Sequence, residues 1–308
     1  NDGADTADAF ANSVLETPDF EAVDHSSSKS RYCMELLLSG KGLSKEKVLH
    51  VIENHGESIV MAGNDTKMRV HIHTDKPCDV VENIQTVGNL VSQKINDMKL
   101  QRDVEKNPHS KVGLLSDSTC DLPREILDRY QIQTVPLSIH FDEKYYLDHL
   151  TISTKQYLEK IEKSDELPTT AQPSLADFTK KYEMLLAHYD SVISLHLNGT
   201  LSGTLNISKK AADRISADTK QKISVIDSGT ATCGLGLNLL RIADAVEKGM
   251  SHDEVVSNSE KWIHDSNIWI SIMNTKYLLK SGRFNSFKYK LVRVLRIKPI
   301  VSFMEDGR

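Results

Sequence analysis

Apolar and polar positions alternate in two different rhythms along this chain. In the first third the apolar runs are short and separated by turn residues. Tyr32 to Leu38 is apolar at almost every position and reads as a strand, after a polar loop over Asp24 to Ser30 and a helical, small-residue-rich opening ten residues. Ser44 is placed to cap a helix through Glu46, Val48, Leu49 and Ile52. Ser58 to Ala62 and Met68 to Thr74 read as two strands of a hairpin, joined by Gly63-Asn64-Asp65-Thr66. Pro77 to Gln85 reads as a further helix, with Gly88 as its stop. The polar, proline-broken segment Asn107-Pro108-His109-Ser110 then marks a domain boundary.

Beyond it the rhythm becomes strand, polar loop, helix, repeated. Val112 to Leu115 precedes Asp117-Ser118-Thr119 and a helix opening near Pro123. Ser191 to Leu197 precedes the loop from Asn198 to Thr204 and a helix. Ile223 to Ile226 precedes Asp227-Ser228-Gly229-Thr230 and a long helix through Ala245, and Ile268 to Met273 reads as another strand. Such alternation predicts an α/β fold with a parallel sheet flanked by helices, preceded by a smaller α+β domain. In parallel sheets ligands gather at the carboxyl ends of the strands, and three loops rich in glycine and hydroxyls fall there.

Length and composition narrow the function. A chain of 308 residues predicts two domains. A net charge of −5 argues against a nucleic-acid binder. No apolar stretch approaches the roughly 20 residues needed to span a bilayer. Cys33, Cys78, Cys120 and Cys233 are widely spaced, which fits a reducing cytoplasm. The chain opens on Asn rather than Met and is expected to be a piece of something longer.

A strand running through Gly, Ser and Thr into a helix offers free N–H groups and the positive end of the helix dipole. Such a loop suits one carboxylate or phosphate, although serine and threonine also cap helices with no ligand present. Gly199-Thr200-Leu201-Ser202-Gly203 displaces its serine from the G-x-S-x-G nucleophile elbow, and no P-loop motif occurs.

Five segments carry a resemblance in order: Leu114 to Pro123, Thr169-Thr170-Ala171-Gln172-Pro173-Ser174, Leu201-Ser202-Gly203-Thr204, Val225 to Ser228 with Gly234-Leu235-Gly236, and Ser281-Gly282-Arg283 with Ile297 to Ile300. From about Lys111 onward the chain resembles the DegV family, whose members bind a long-chain fatty acid between two α/β lobes. The resemblance implies a fatty-acid site at Thr170, Ser202, Gly203 and Thr204, with Arg283 suited to acyl-phosphate oxygens. It also implies that the second lobe, with a histidine near the head group, continues past Arg308 and is incomplete here.

In the first domain, His71 and His73 alternate along one strand and so share a face, where Cys33 could add a thiolate. The same residues also read as two half-buried strand histidines and an unrelated core cysteine. Tyr32-Cys33-Met34-Glu35-Leu36, Gly56-Glu57-Ser58-Ile59, Val70 to Asp75 and Ile95 to Met98 resemble the middle domain of the fatty acid kinase family, often labelled Dak-phosphatase-like. That resemblance implies a structural Zn²⁺ on Cys33, His71 and His73, and domains at 1–107 and 111–308.

The combined expectation is a fatty-acid carrier that presents a carboxylate for phosphorylation. ATP and Mg²⁺ would enter through a kinase domain elsewhere, in the same natural chain or in a separate protein. The alternative is a zinc-dependent phosphohydrolase acting on a small phosphate ester. Expected partners are a long-chain fatty acid or acyl phosphate, the kinase domain, a second copy of the chain and an anionic membrane.

The membrane expectation rests on Lys280 to Lys298, where Arg283, Lys288, Lys290, Arg293 and Arg296 occur with no acidic residue. Phe287, Leu291, Val294 and Leu295 recur at helical spacing beside that cationic face. Each basic residue near an anionic surface is worth about 1 kcal/mol. Flotation should show the protein on anionic but not neutral vesicles, fading with salt. Replacing Lys288, Lys290 and Arg293 by Glu should abolish it; equal flotation of wild type and triple variant would leave a merely solvated face.

Overall fold

A computed structural model describes residues 28–141, 143–164, 166–219, 221–272, 298 and 300–303. The expected helix over the first ten residues, Arg283, and the basic stretch up to residue 297 lie outside these. The chain divides into two compact units, residues 1–107 with 143–156, and residues 108–142 with 157–308. Glu143–Gln156, which the sequence pattern assigns to the second domain, thus groups with the first.

The first unit is built on an antiparallel sheet in the order β2-β3-β1-β4, from β1 (Tyr32–Ser39), β2 (Glu57–Gly63), β3 (Lys67–Thr74) and β4 (Asn89–Asp97). β1 is a central strand, paired along both edges with β3 and β4. Met34, Leu36 and Leu38 alternate onto one face with Met68, Val70 and Ile72 of β3, all at 2% exposure or less. Burial of each such side chain contributes about 1.5–3 kcal/mol. α1 (Lys45–Ile52) and α2 (Pro77–Ile84) pack together and bury Val48, Ile52, Val80, Val81 and Ile84. Ser44 caps α1 by accepting from the Lys47 N–H. At the end of β4, Asp97 accepts from the Leu100 N–H and so caps α3 (Met98–Lys106), while its other oxygen receives two bonds from the Arg31 guanidinium.

In the second unit β5 (Val112–Asp117) leads through a short 3₁₀ turn to α4 (Arg124–Arg129), then β6 (Gln133–Val135) and β7 (Ser138–Phe141). β8 (Thr169–Ala171) pairs antiparallel with β7. There follow α5 (Leu175–Leu186), β9 (Ser191–His196), α6 (Thr204–Thr219), β10 (Lys222–Asp227), α7 (Thr232–Glu247) and α8 (His252–His264). The parallel sheet has the order β10-β9-β5-β6. One face, through Leu114, Ile193 and Leu195, packs on Leu127, Leu235, Leu239, Ile242 and Val255 from α4, α7 and α8. The opposite face carries Leu115, Val192, Ser194 and His196, and is covered by α5 and α6. Of the expected Ile268–Met273 strand, Ile270–Ser271 is regular among the described residues. No helix among the described residues is long and apolar enough to cross a membrane.

At the amino ends of the strands, His252 opens α8 and bonds Ser191 through Nδ1 at 2.9 Å and Ser224 through Nε2 at 2.8 Å. Burial, then the Lys222 charge, hold its pKa below the ordinary value against the pull of Asp253. The folded state therefore favours neutral imidazole, whereas the unfolded chain takes up a proton near pH 6.5. The contribution is complete above that pH and is lost as pH falls below it. The melting-temperature gap between wild type and His252→Gln should shrink from pH 7.5 to pH 5. A gap that stays constant or widens would assign the acid sensitivity elsewhere.

Candidate functional site

The three hydroxyl-rich loops do not use their hydroxyls alike. At the end of β5, Asp117 is fully buried. Its Oδ1 accepts from the Thr119 N–H and hydroxyl, and its Oδ2 accepts from the Leu197 N–H at 3.0 Å while facing His196 Nδ1 at 3.0 Å. Burial works to raise the Asp117 pKa, but the His196 hydrogen bond and charge, with Thr119 and Leu197, hold it below the usual carboxylate range. Ser118 Oγ accepts from the Leu137 N–H. After β10, Asp227 accepts from the Gly199 and Gly229 N–H groups, and the Ser228 hydroxyl donates to the Thr230 carbonyl. Asp117 accepts from the interior and Asp227 from an exposed position, and both brace the ends of the strands.

The loop after β9 and the segment around β8 keep hydroxyls at the surface. Thr170 is exposed on β8, and Ser202 is partly exposed just before α6. Their loops meet where Gln172 lies against Gly203. A Cβ on residue 203 would overlap the Gln172 carboxamide where it now lies and would push that side chain aside. Ser202 Oγ accepts from the Thr204 N–H at 3.2 Å and lies 2.9 Å from the Thr204 hydroxyl. Thr204 is fully buried, so its hydroxyl supports Ser202 rather than facing outward. The Gly203 carbonyl accepts from the Ile207 N–H, which starts α6 and aims its positive end at Ser202. Ser202, Gly203 and Thr204 therefore form one locality, the Gln172 side chain brings the segment carrying Thr170 against it, and Arg283 lies outside the described residues.

In the first unit the antiparallel register sets Cys33 opposite His73 and Glu35 opposite His71. Cys33, His71 and His73 are buried, with one ligand atom from each within 4.8 Å of the others. Cys33 Sγ is 4.0 Å from His71 Nδ1, and the two imidazole centroids are 4.8 Å apart. Donors on a tetrahedral zinc at ordinary bond lengths stand about 3.3–3.6 Å from each other, so the trio would hold such an ion once its donors close in from their spread of up to 4.8 Å. Gly56 approaches the same strand so closely that a Cβ would overlap the His73 carbonyl. Burial, then the Glu35 charge, push the Cys33 thiol up to about 11, with Lys94 acting in the opposite sense. A cation held there would displace that proton, as metal thiolates do.

Comparison with known proteins adds to this geometry. Residues 111–308, more than half of the chain, match the family described as "Uncharacterised protein, DegV family". The chain belongs to the DegV family. Residues 29–105 match the middle domain of the FakA-like fatty acid kinase proteins. A DegV domain-containing protein of Clostridium perfringens is 33% identical over 195 residues, which span 63% of this chain and 69% of that protein. A second, from Deinococcus radiodurans, is 33% identical over 190 residues, spanning 62% and 66%. Among solved structures, a DegV family protein from Thermus thermophilus described by its fatty acid binding superposes with a TM-score of 0.57 at 30% identity, covering 64% of this chain and 69% of that one. DegV of Bacillus subtilis, described as a fatty acid binding protein, gives 0.55 at 27% identity and the same coverage.

The DegV unit also contains a group that its motifs do not reveal. His196 Nε2 lies 2.6 Å from Ser194 Oγ and 2.9 Å from Ser208 Oγ, and Ser208 Oγ lies 2.6 Å from the Tyr182 hydroxyl. A signal is present in Ser191-Val192-Ile193-Ser194-Leu195-His196, where polar residues interrupt an otherwise apolar strand. Asp117, His196 and Ser194 are ordered like a catalytic triad, yet all three are at 0% exposure. A substrate bond has no access to that serine.

Proposed function

We propose that the DegV domain binds a long-chain fatty acid by its carboxylate, and that the chain presents this carboxylate for ATP-dependent phosphorylation by a kinase domain. The observation that carries the reading is the meeting of the Thr170 and Ser202 loops at Gln172 and Gly203, beside the start of α6. Thr204 can donate to Ser202 Oγ through both its N–H and its hydroxyl. With Thr204 as donor, the Ser202 proton points to a ligand oxygen. Thr170 supplies a second hydroxyl, and the helix dipole favours the negative charge. The fatty-acid-binding relatives support the ligand class, and the kinase-like middle domain supports its use in phosphoryl transfer. No carboxylate joins the Cys33, His71 and His73 group among the described residues, so nothing specific favours the phosphohydrolase alternative.

A hydrogen bond to a charged acceptor contributes about 1.5–3 kcal/mol. Ser202→Ala and Thr170→Val should therefore each weaken palmitate binding to the delipidated protein by about tenfold or more in calorimetric titration. Acyl-phosphate formation with ATP, Mg²⁺ and a kinase domain should fall with it. Unchanged affinity in both variants would sink the carboxylate assignment.

The same reading gives the first unit a structural zinc on Cys33, His71 and His73. Such an ion would tie β1 to β3 and add binding free energy to folding. Elemental analysis should find about one zinc per chain, and Cys33→Ser should lower melting temperature and yield. Stoichiometric zinc persisting in a Cys33→Ala, His73→Ala variant would place the ion elsewhere.

A further inference from the structure

We propose that the buried chain Tyr182–Ser208–His196–Asp117 is the positioning element of the carboxylate site, setting the separation of its two hydroxyl loops. This inference rests on the carboxylate reading above. The two loops are the lead-ins of two helices. The Thr170 segment runs into α5, capped by Ser174, and the Ser202 loop runs into α6. Tyr182 lies two turns into α5, and Ser208 lies one turn below Thr204 on α6, the residue that holds Ser202. Their hydroxyls meet at 2.6 Å, and Ser208 continues to His196 at 2.9 Å.

The chain is anchored at its carboxylate end. Asp117, held ionised, is an acceptor, so His196 Nδ1 carries the proton between them. His196 Nε2 faces the Ser208 hydroxyl at 2.9 Å and the Ser194 hydroxyl at 2.6 Å, and the Ser208 hydroxyl shares a hydrogen bond with that of Tyr182. The chain ends on the Asp117 carboxylate, which also receives the Leu197 N–H at the start of the ligand loop. The edge of Phe178 against the His196 ring, at 5.1 Å and 87°, fixes the ring plane from α5. An apolar filling of the same volume would often be as stable or more so. What the polar chain adds is a single register between α5 and α6, because a slipped helix would leave buried hydroxyls unmatched.

The test uses the full chain and two lipids with the same tail, palmitate and hexadecanol. Tyr182→Phe and Ser208→Ala each remove one hydroxyl and little volume, and either suffices if the other fails to fold. Palmitate affinity should fall by about three- to tenfold in each variant, the loss expected of one hydrogen bond. Hexadecanol affinity should stay the same. Adding Tyr182→Phe to Ser202→Ala should produce less than the sum of the two losses, since both act on one hydroxyl. Unchanged palmitate affinity in the variants, or equal loss for both lipids, overturns the positioning role while leaving the carboxylate site intact. A wild type with no preference for palmitate over hexadecanol overturns the carboxylate site and this inference together.

Discussion

The buried Asp117 carboxylate is the constraint around which the second unit is arranged. Its charge lies at the carboxyl end of β5, at 0% exposure, where it is costly unless every lone pair is used. The Thr119 N–H and hydroxyl, the Leu197 N–H and His196 Nδ1 use them. Those donors come from the turn after β5 and from the end of β9, so the charge ties two strand ends and two loops at once. Removing one donor would leave the anion partly unmatched, which is why the loop conformations are coupled rather than independent. The second aspartate at a strand end, Asp227, is exposed and links the loops after β9 and β10 through the Gly199 and Gly229 N–H groups.

The first unit reaches a similar result with a different device. A central antiparallel strand is hydrogen-bonded along both edges, and β1 sorts its side chains to the two faces by alternation. Met34, Leu36 and Leu38 enter an apolar core, while Cys33 and Glu35 share the other face with His71 and His73. A slip of one residue between β1 and β3 would send methionine and leucine to the cysteine face and disperse the trio. The hydrophobic pattern therefore sets the geometry of the Cys–His cluster, and Gly56 allows the close approach to the His73 carbonyl.

This division explains what is legible in the sequence. Tyr32–Ser39, the 57–74 hairpin and the parallel strands at 112, 191 and 222 are readable because buried strands must be apolar or strictly alternating. Asn89–Asp97 is an edge strand with mostly polar, partly exposed residues, and it leaves no such pattern. β6, β7 and β8 have only three or four residues each, too few for a period to register. By contrast, α5 and α8 carry readable signals, the capping boxes at Ser174 and Ser251, which the loop motifs overshadow. The His71–His73 pair is visible as a spacing within one strand. Asp117 and His196 are 79 residues apart, and their pairing depends on β5 and β9 becoming neighbours, which no local pattern encodes.

The two surface loops also explain why the proposed site suits a single carboxylate. Neither Thr169–Ser174 nor Asn198–Thr204 contains a lysine or arginine. Attraction within these loops comes from hydroxyls, N–H groups and the α6 dipole, whose worth is about 0.3–1 kcal/mol per unit charge at an exposed end. A carboxylate with one charge and two acceptor oxygens can be matched by such donors. A dianionic phosphate would call for a guanidinium or ammonium as well, which these loops lack. On the proposed reading, the same weakness keeps the acid exchangeable. Recognition of the phosphorylated product then falls to a residue outside the two loops, the role that the family resemblance gives to Arg283.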